Sequence, residues 1–226
     1  MIAPVNLLLV AALAGVLALC VLGSLARSGM AGIKEAISAN LLTLLAFGAF
    51  AFQATDAPLF LSVILANTAV ALALCAYYAG LCRLVGRPVP RHLMALASGA
   101  ALLVLAAYTY IEPRVETRMV AMSALMTGFM LAVGVTVGHG MPMNRSRYSY
   151  HFVRVVAFVS ALVCAARAVV YLLGIAEPQA LLLPTAWNIA FMTLGVLTMP
   201  CLTLGTIMTS TTGCSRTASR RRTRTS

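Results

Sequence analysis

The chain has 226 residues, 62% of them hydrophobic and only 9% charged, with a formal net charge of +11. A soluble domain carries roughly 25% charged residues, so these proportions exclude a water-soluble enzyme as the main body. The positive charge does not point to nucleic acid, because no basic face of a soluble fold is left to carry it.

The first apolar stretch covers residues 7–26. No basic segment precedes it, and it exceeds the usual ~7–15 apolar residues of a signal peptide, so a retained helix is expected. Further stretches follow at 37–54, 59–82, 93–111, 119–138, 152–173 and 181–209. About 20 apolar residues, rising ~1.5 Å each, cross a ~30 Å hydrocarbon core. Spans must be helices or a closed barrel, since unpaired backbone amides in hydrocarbon cost several kcal/mol each. Barrel strands alternate apolar and polar over ~10 residues. These stretches are uniformly apolar and longer, so they predict an all-α integral membrane protein with seven transmembrane helices over residues 1–209. A basic, disordered tail is expected over 210–226, where Arg, Ser and Thr dominate and apolar periodicity is missing.

Charge alternates along the breaks. Arg27 and Lys34 follow the first stretch, Asp56 the second, and Arg83, Arg87, Arg91 and His92 the third. Glu112, Arg114, Glu116 and Arg118 follow the fourth and cancel. Arg145, Arg147 and Arg154 follow the fifth, Glu177 the sixth, and Arg216, Arg220, Arg221, Arg222 and Arg224 the last. Lys and Arg accumulate on the cytoplasmic side. The expected topology is N-terminus outside and C-terminus cytoplasmic, and the lipid bilayer is the expected principal partner.

Polar residues inside the stretches are the candidates for function. Arg167 stands about two turns from the outer end of the sixth. It could snorkel to the interface, pair with Glu112, Glu116 or Glu177, or face an anionic small-molecule ligand. Arg154 reads as an interfacial anchor. Asn40, Gln53, Asn67 and Asn188 are amides able to bond across helices. Arg167, Asn67, Asn188 and Glu112 form the candidate ligand-binding set. Gly134 and Gly138 make a small-xxx-small pair that favours close helix contact, and association with a second copy through helix faces is the expected protein contact. Pro184 and Pro200 fall in the last stretch, and Pro200 removes a backbone donor and should bend it.

Tyr77, Tyr78, Tyr108, Tyr110, Tyr148, Tyr150, Tyr171 and Trp187 are placed near span ends, as in an interfacial aromatic belt. The six cysteines, Cys20, Cys75, Cys82, Cys164, Cys201 and Cys214, show no CxxC or Cys/His spacing. They read as small packing residues. His92, His139 and His151 are scattered, no catalytic motif is present, and no cofactor or metal is called for.

Four segments carry a resemblance: VILANTAVALALCAYYAGLCRLVGRP (63–88), YTYIEPRVETRMVAMSA (108–124), AARAVVYLLG (165–174) and LTMPCLTLGTIM (197–208). Together they resemble the N-terminal membrane sensor regions of bacterial GGDEF proteins, the diguanylate cyclases. The resemblance implies a sensory or regulatory domain in the bacterial inner membrane, followed in the family by a helical linker and a cytoplasmic domain that makes cyclic di-GMP. This sequence departs from the family after Met208, where it reads TSTTGCSRTASRRRTRTS without a GGDEF or GGEEF motif. The expectation is a truncated member without catalysis of its own. The last residues read either as a polybasic segment for anionic lipid or as a shifted reading frame. Codons for residues 211–216, begun one base earlier, permit His-Asp-Arg-Met-Leu-Ala, and those for 223–226 permit Asn-Thr-Asp-Phe, which resemble the linker and the opening of a GGDEF domain. A non-functional remnant of a disrupted gene is a further reading. The alternative function is a small membrane transporter or permease subunit, which inverted repeats and several intramembrane ions would favour. No repeat is visible here, and Arg167 is the one charge deep within a stretch.

Overall fold

Apolar runs of this length leave the backbone one way to satisfy its amides, and all regular structure among the described residues is helical. The computed structural model describes residues 4–28, 30–54, 58–140, 147–175, 189–191, 193, 195 and 197–209. The helices are α1 (Pro4–Leu25), α2 (Ile33–Ala51), α3 (Ala66–Val85), α4 (Arg91–Tyr110), α5 (Val115–His139), α6 (Arg147–Leu172) and α7 (Leu197–Thr209). A π-helical turn, Phe60–Leu65, runs directly into α3. Five segments are long and apolar enough to cross a membrane: Ile33–Ala51, Phe60–Val85, Arg91–Tyr110, Val115–His139 and Arg147–Leu172. Two shorter apolar helices accompany them, Leu9–Leu25 and Leu197–Thr209. The start of the seventh predicted stretch, Pro184, Trp187, Asp56, Arg145, Glu177 and the basic tail lie outside the described residues.

Several helices begin earlier than the apolar runs that announce them. α2 starts at Ile33 rather than 37, and α6 at Arg147 rather than 152. Their first turns carry Lys34 and Glu35, or Arg147, Tyr148 and His151, which hydropathy alone reads as a break. The buried Ile33 and Tyr150 anchor these polar turns to the bundle.

Packing relies on small residues. α2 and α3 face each other through buried alanines, among them Ala36, Ala39, Ala69 and Ala73. Between apolar helices in hydrocarbon, close backbone approach supplies the attraction that water expulsion supplies in soluble cores. The tightest approach pairs Gly32 with Gly80. A Cβ on Gly80 would lie 2.9 Å from the Gly32 carbonyl oxygen. Gly32 also has φ 88°, a conformation that side chains resist. Beside this crossing Arg83 forms an ion pair with Glu35.

These contacts set the ends of the bundle. The starts of α2, α4 and α6 and the ends of α3, α5 and α7 lie together. Glu35 meets Arg83, the Tyr78 hydroxyl lies 3.1 Å from Thr136, and Gly205 packs on Val153. Lys34, Arg83, Arg87, Arg91 and Arg147 therefore collect at one end, the basic end, while Glu112, Arg114, Glu116 and Arg118 occupy the other. Gly134 and Gly138 both face α6, Gly134 against the Phe158 ring and Gly138 against the Arg154 guanidinium. Arg154 also lies over the Phe158 ring at 5.6 Å.

Replacing Gly80 with Val should force α2 and α3 apart. Overpacking of this kind costs about 1–3 kcal/mol, measurable as loss of unfolding free energy in mixed detergent micelles. A Gly80→Val protein as stable as the parent would show that the crossing does not need the glycine.

Candidate functional site

Hydroxyl and amide side chains within a helix can turn back on the carbonyl four residues earlier, and most here do. Thr43 donates to Ala39, Thr109 to Leu105, Thr127 to Ser123 and Asn67 to Val63. Among the polar side chains that reach further, two groups involve α7.

The first group lines a cavity between α5, α6 and the α7 segment. On α6, Ser160, Cys164 and Arg167 line it, and Tyr171, which does not, is spaced to share their face. On α5, Met126 and Met130 line it, and Met119 stands seven residues before Met126. Phe191, Gly195, Thr198 and Met199 close the third side. The space is about 80 Å³. At Gly195 an added Cβ would meet nothing within 4 Å. The hydroxyls of Ser160 and Thr198 lie 3.0 Å apart on its wall.

Arg167 is the charge in this space. Its guanidinium sits 5.9 Å from the Tyr171 ring centroid and 5.8 Å from that of Phe191. One terminal nitrogen points at the Met119 sulfur at 3.9 Å. Nε is buried and has no hydrogen-bond partner among the described residues. A charge near the centre of a span costs about 2.5–3.5 kcal/mol on insertion scales, and each cation–π contact returns roughly 0.5–2 kcal/mol. The two rings can thus hold the cation in place. They do not satisfy the Nε–H, and an unmet buried donor costs about 1–3 kcal/mol.

Of the ligand candidates among the described residues, Arg167, Asn67 and Glu112, only Arg167 lines the cavity. Glu112 is drawn instead to Arg114 at 2.5 Å, with both side chains exposed, and Arg167 makes no ion pair among the described residues. The short connection between α4 and α5 keeps Glu112 in the exposed turn, so pairing with Glu112, one of the roles open to Arg167, is not made here. Asn67 is half-buried and occupied by its own helix. Asn188 lies outside the described residues. Sequence reading missed Ser160, Cys164, Met119, Met126, Phe191 and Thr198 as neighbours of Arg167. The α6 members were available from the spacing of Ser160, Cys164 and Tyr171 about Arg167, which places all of them on one face.

The second group ties α7 to α2 and α3. Asn40 donates to Ala36 O at 2.9 Å and reaches Thr203 Oγ1 at 3.2 Å. Tyr77 donates to Leu202 O at 3.2 Å, and its hydroxyl lies 3.2 Å from Thr206 Oγ1. Tyr77 is thus an interior residue, 3% exposed, and so are Tyr150 and Tyr171 at 1% and 3%. That corrects the aromatic belt expected for all seven tyrosines. Tyr110 and Tyr148 alone among these five are exposed. A phenol can serve either place, and a partner on a neighbouring helix draws it inward. Pro200 falls between the two groups, with Thr198 on the cavity side and Leu202, Thr203 and Thr206 on the other.

Among the described residues no group of three or more His, Cys, Asp or Glu is arranged to hold a metal ion. Comparison of the chain with protein-family models, with curated proteins and with solved structures gives no match.

Interhelical hydrogen bonds in membrane bundles contribute about 0.6–1.7 kcal/mol. Tyr77→Phe and Asn40→Leu should each lower the unfolding free energy by an amount in that range. Unchanged stability in both variants would mean that these contacts do not hold α7.

Proposed function

We propose that the chain is a membrane-embedded sensory or regulatory domain of a diguanylate cyclase-like signalling protein in a bacterial inner membrane. It spans the bilayer seven times, with the N-terminus outside and the basic end of the bundle in the cytoplasm. The alternating loop charges support that topology, and the four segments quoted above support the kinship. These 226 residues contain no GGDEF loop, so the role assigned to them is sensing, not nucleotide chemistry.

The observation that carries the reading is the arrangement on the last helix. The Arg167 cavity presses on one side of Pro200, and the Asn40 and Tyr77 contacts grip the other. Proline removes a backbone hydrogen bond and softens the helix at that point. Occupancy of the cavity would push α7 outward at Thr198 and Met199 and change its grip at Thr203 and Thr206. α7 is also the last helix among the described residues, and it ends at the basic end of the bundle.

Two measurements test this. Filling the cavity by Gly195→Leu should mimic occupancy and shift the distance between spin labels at Leu93 and Met208, both exposed near the basic end. Adding Pro200→Ala should abolish the shift, and identical distances with and without Gly195→Leu would defeat the mechanism. Separately, a phosphatase active only in the periplasm, fused after Met208, should stay inactive. Strong activity there would overturn the orientation.

A further inference from the structure

The cavity specifies its occupant more closely than the sensory reading requires, although the signalling consequence rests on that reading. Its charge is a single guanidinium with a buried, unmet Nε–H. No carboxylate among the described residues pairs with it, and among them its charge stands without a counter-ion. A monoanion would supply one, and a dianion would bring a second charge into an apolar wall without a partner. Planar carboxylate oxygens match the fork geometry of a guanidinium. Around this group the wall is apolar and soft, made mainly of Met126, Met130, Met199 and Val163. Thioether side chains adapt to small apolar bodies and accept no strong hydrogen bond. That disfavours inorganic anions, which need donors on every side.

Size narrows the class. An apolar cavity of about 150 Å³ admits benzene, and the space here is about 80 Å³. We infer that the α5–α6–α7 cavity binds a short monocarboxylate of about two to four carbons. Its carboxylate lies on the Arg167 guanidinium, and its alkyl end lies among Met126, Met130 and Met199. The Ser160 and Thr198 hydroxyls already lie within bonding distance of each other, so a ligand hydroxyl is not needed at that wall.

The test uses the full chain in nanodiscs of phosphatidylcholine, which carries no net charge to compete. Binding is read calorimetrically for acetate, propionate and butyrate against propanamide, succinate and octanoate. Propionate or butyrate should bind most tightly, with propanamide and succinate at least about tenfold weaker, as expected when a charge-assisted hydrogen bond is lost or a second charge is buried. Arg167→Gln should weaken propionate by a similar factor, and Gly195→Leu should remove binding while leaving the guanidinium in place. Arg167→Lys, which keeps the charge but not the fork, should fall between parent and Gln. Propanamide binding as well as propionate, or propionate binding unchanged in Arg167→Gln, would overturn the inference. Tighter binding of octanoate would also overturn it, replacing a short soluble carboxylate with a lipid-derived acid entering from the bilayer. Label distances between Leu93 and Met208, recorded with saturating propionate, keep the two proposals separate. Propionate that binds through Arg167 without moving α7 upholds the ligand class and defeats the sensory mechanism.

Discussion

Hydrocarbon offers no hydrogen bonds, so each polar group in a spanning helix must find its partner within the protein. That constraint orders the whole bundle. Threonines and asparagines return to their own helices wherever they can, and those contacts leave no mark on the tertiary arrangement. The groups that reach another helix are the ones that position helices. Asn40 and Tyr77 reach α7, Tyr78 reaches α5, and Arg167 is braced by two aromatic rings. The fold is then a set of apolar cylinders whose relative placement is fixed by a few polar exceptions and by small residues that permit close approach.

The legible part of this in the sequence was the part that averages over many residues. Long apolar runs place α3, α4 and α5 within a few positions of where they lie, because hydropathy over a turn or more is a strong signal. The ends of α2 and α6 were obscured, since their first turns mix Lys34, Glu35, Arg147 and His151 with the buried Ile33 and Tyr150. The residue with the greatest functional promise, Arg167, was also legible, because a lone charge in an apolar run is conspicuous. Its surroundings were not. A methionine on a neighbouring helix looks like any other core residue, and nothing in the local sequence says that Met119 and Phe191 meet the same guanidinium. Glu112 looked like a natural counter-charge, yet a nearer arginine, Arg114, satisfies it at the exposed turn. Proximity along the chain decided that competition, as it commonly does for exposed ion pairs of little individual strength.

Tyr77 shows a related limit. A tyrosine near a span end has two good environments, the interface and a polar partner inside, and the sequence does not rank them. The ranking comes from Leu202 and Thr206, some 125 residues away along the chain. Once α7 lies beside α3, the Leu202 carbonyl accepts from both Tyr77 and Thr206. The proline two residues earlier makes that arrangement less surprising. A helix with a missing backbone bond is locally soft, and side-chain contacts from α2 and α3 restore definition just beyond it.

The same geometry bears on the choice between sensing and transport. A carrier must open one site to each side of the membrane in turn, which is commonly achieved by two halves of similar build rocking about the site. Here the cavity is bounded by α5, α6 and the α7 segment. The element on its third wall is gripped on its far half by α2 and α3 through Thr203, Leu202 and Thr206. In the proposed sensory role, a ligand bound beside Arg167 works against a single helix held at one place. An input of that kind would yield a displacement at the end of α7. The free energy available for that displacement is the difference in ligand affinity between the two positions of α7. A charge-assisted contact to a buried guanidinium can supply it, because such contacts contribute about 1.5–3 kcal/mol, enough to shift a two-state equilibrium by one to two powers of ten.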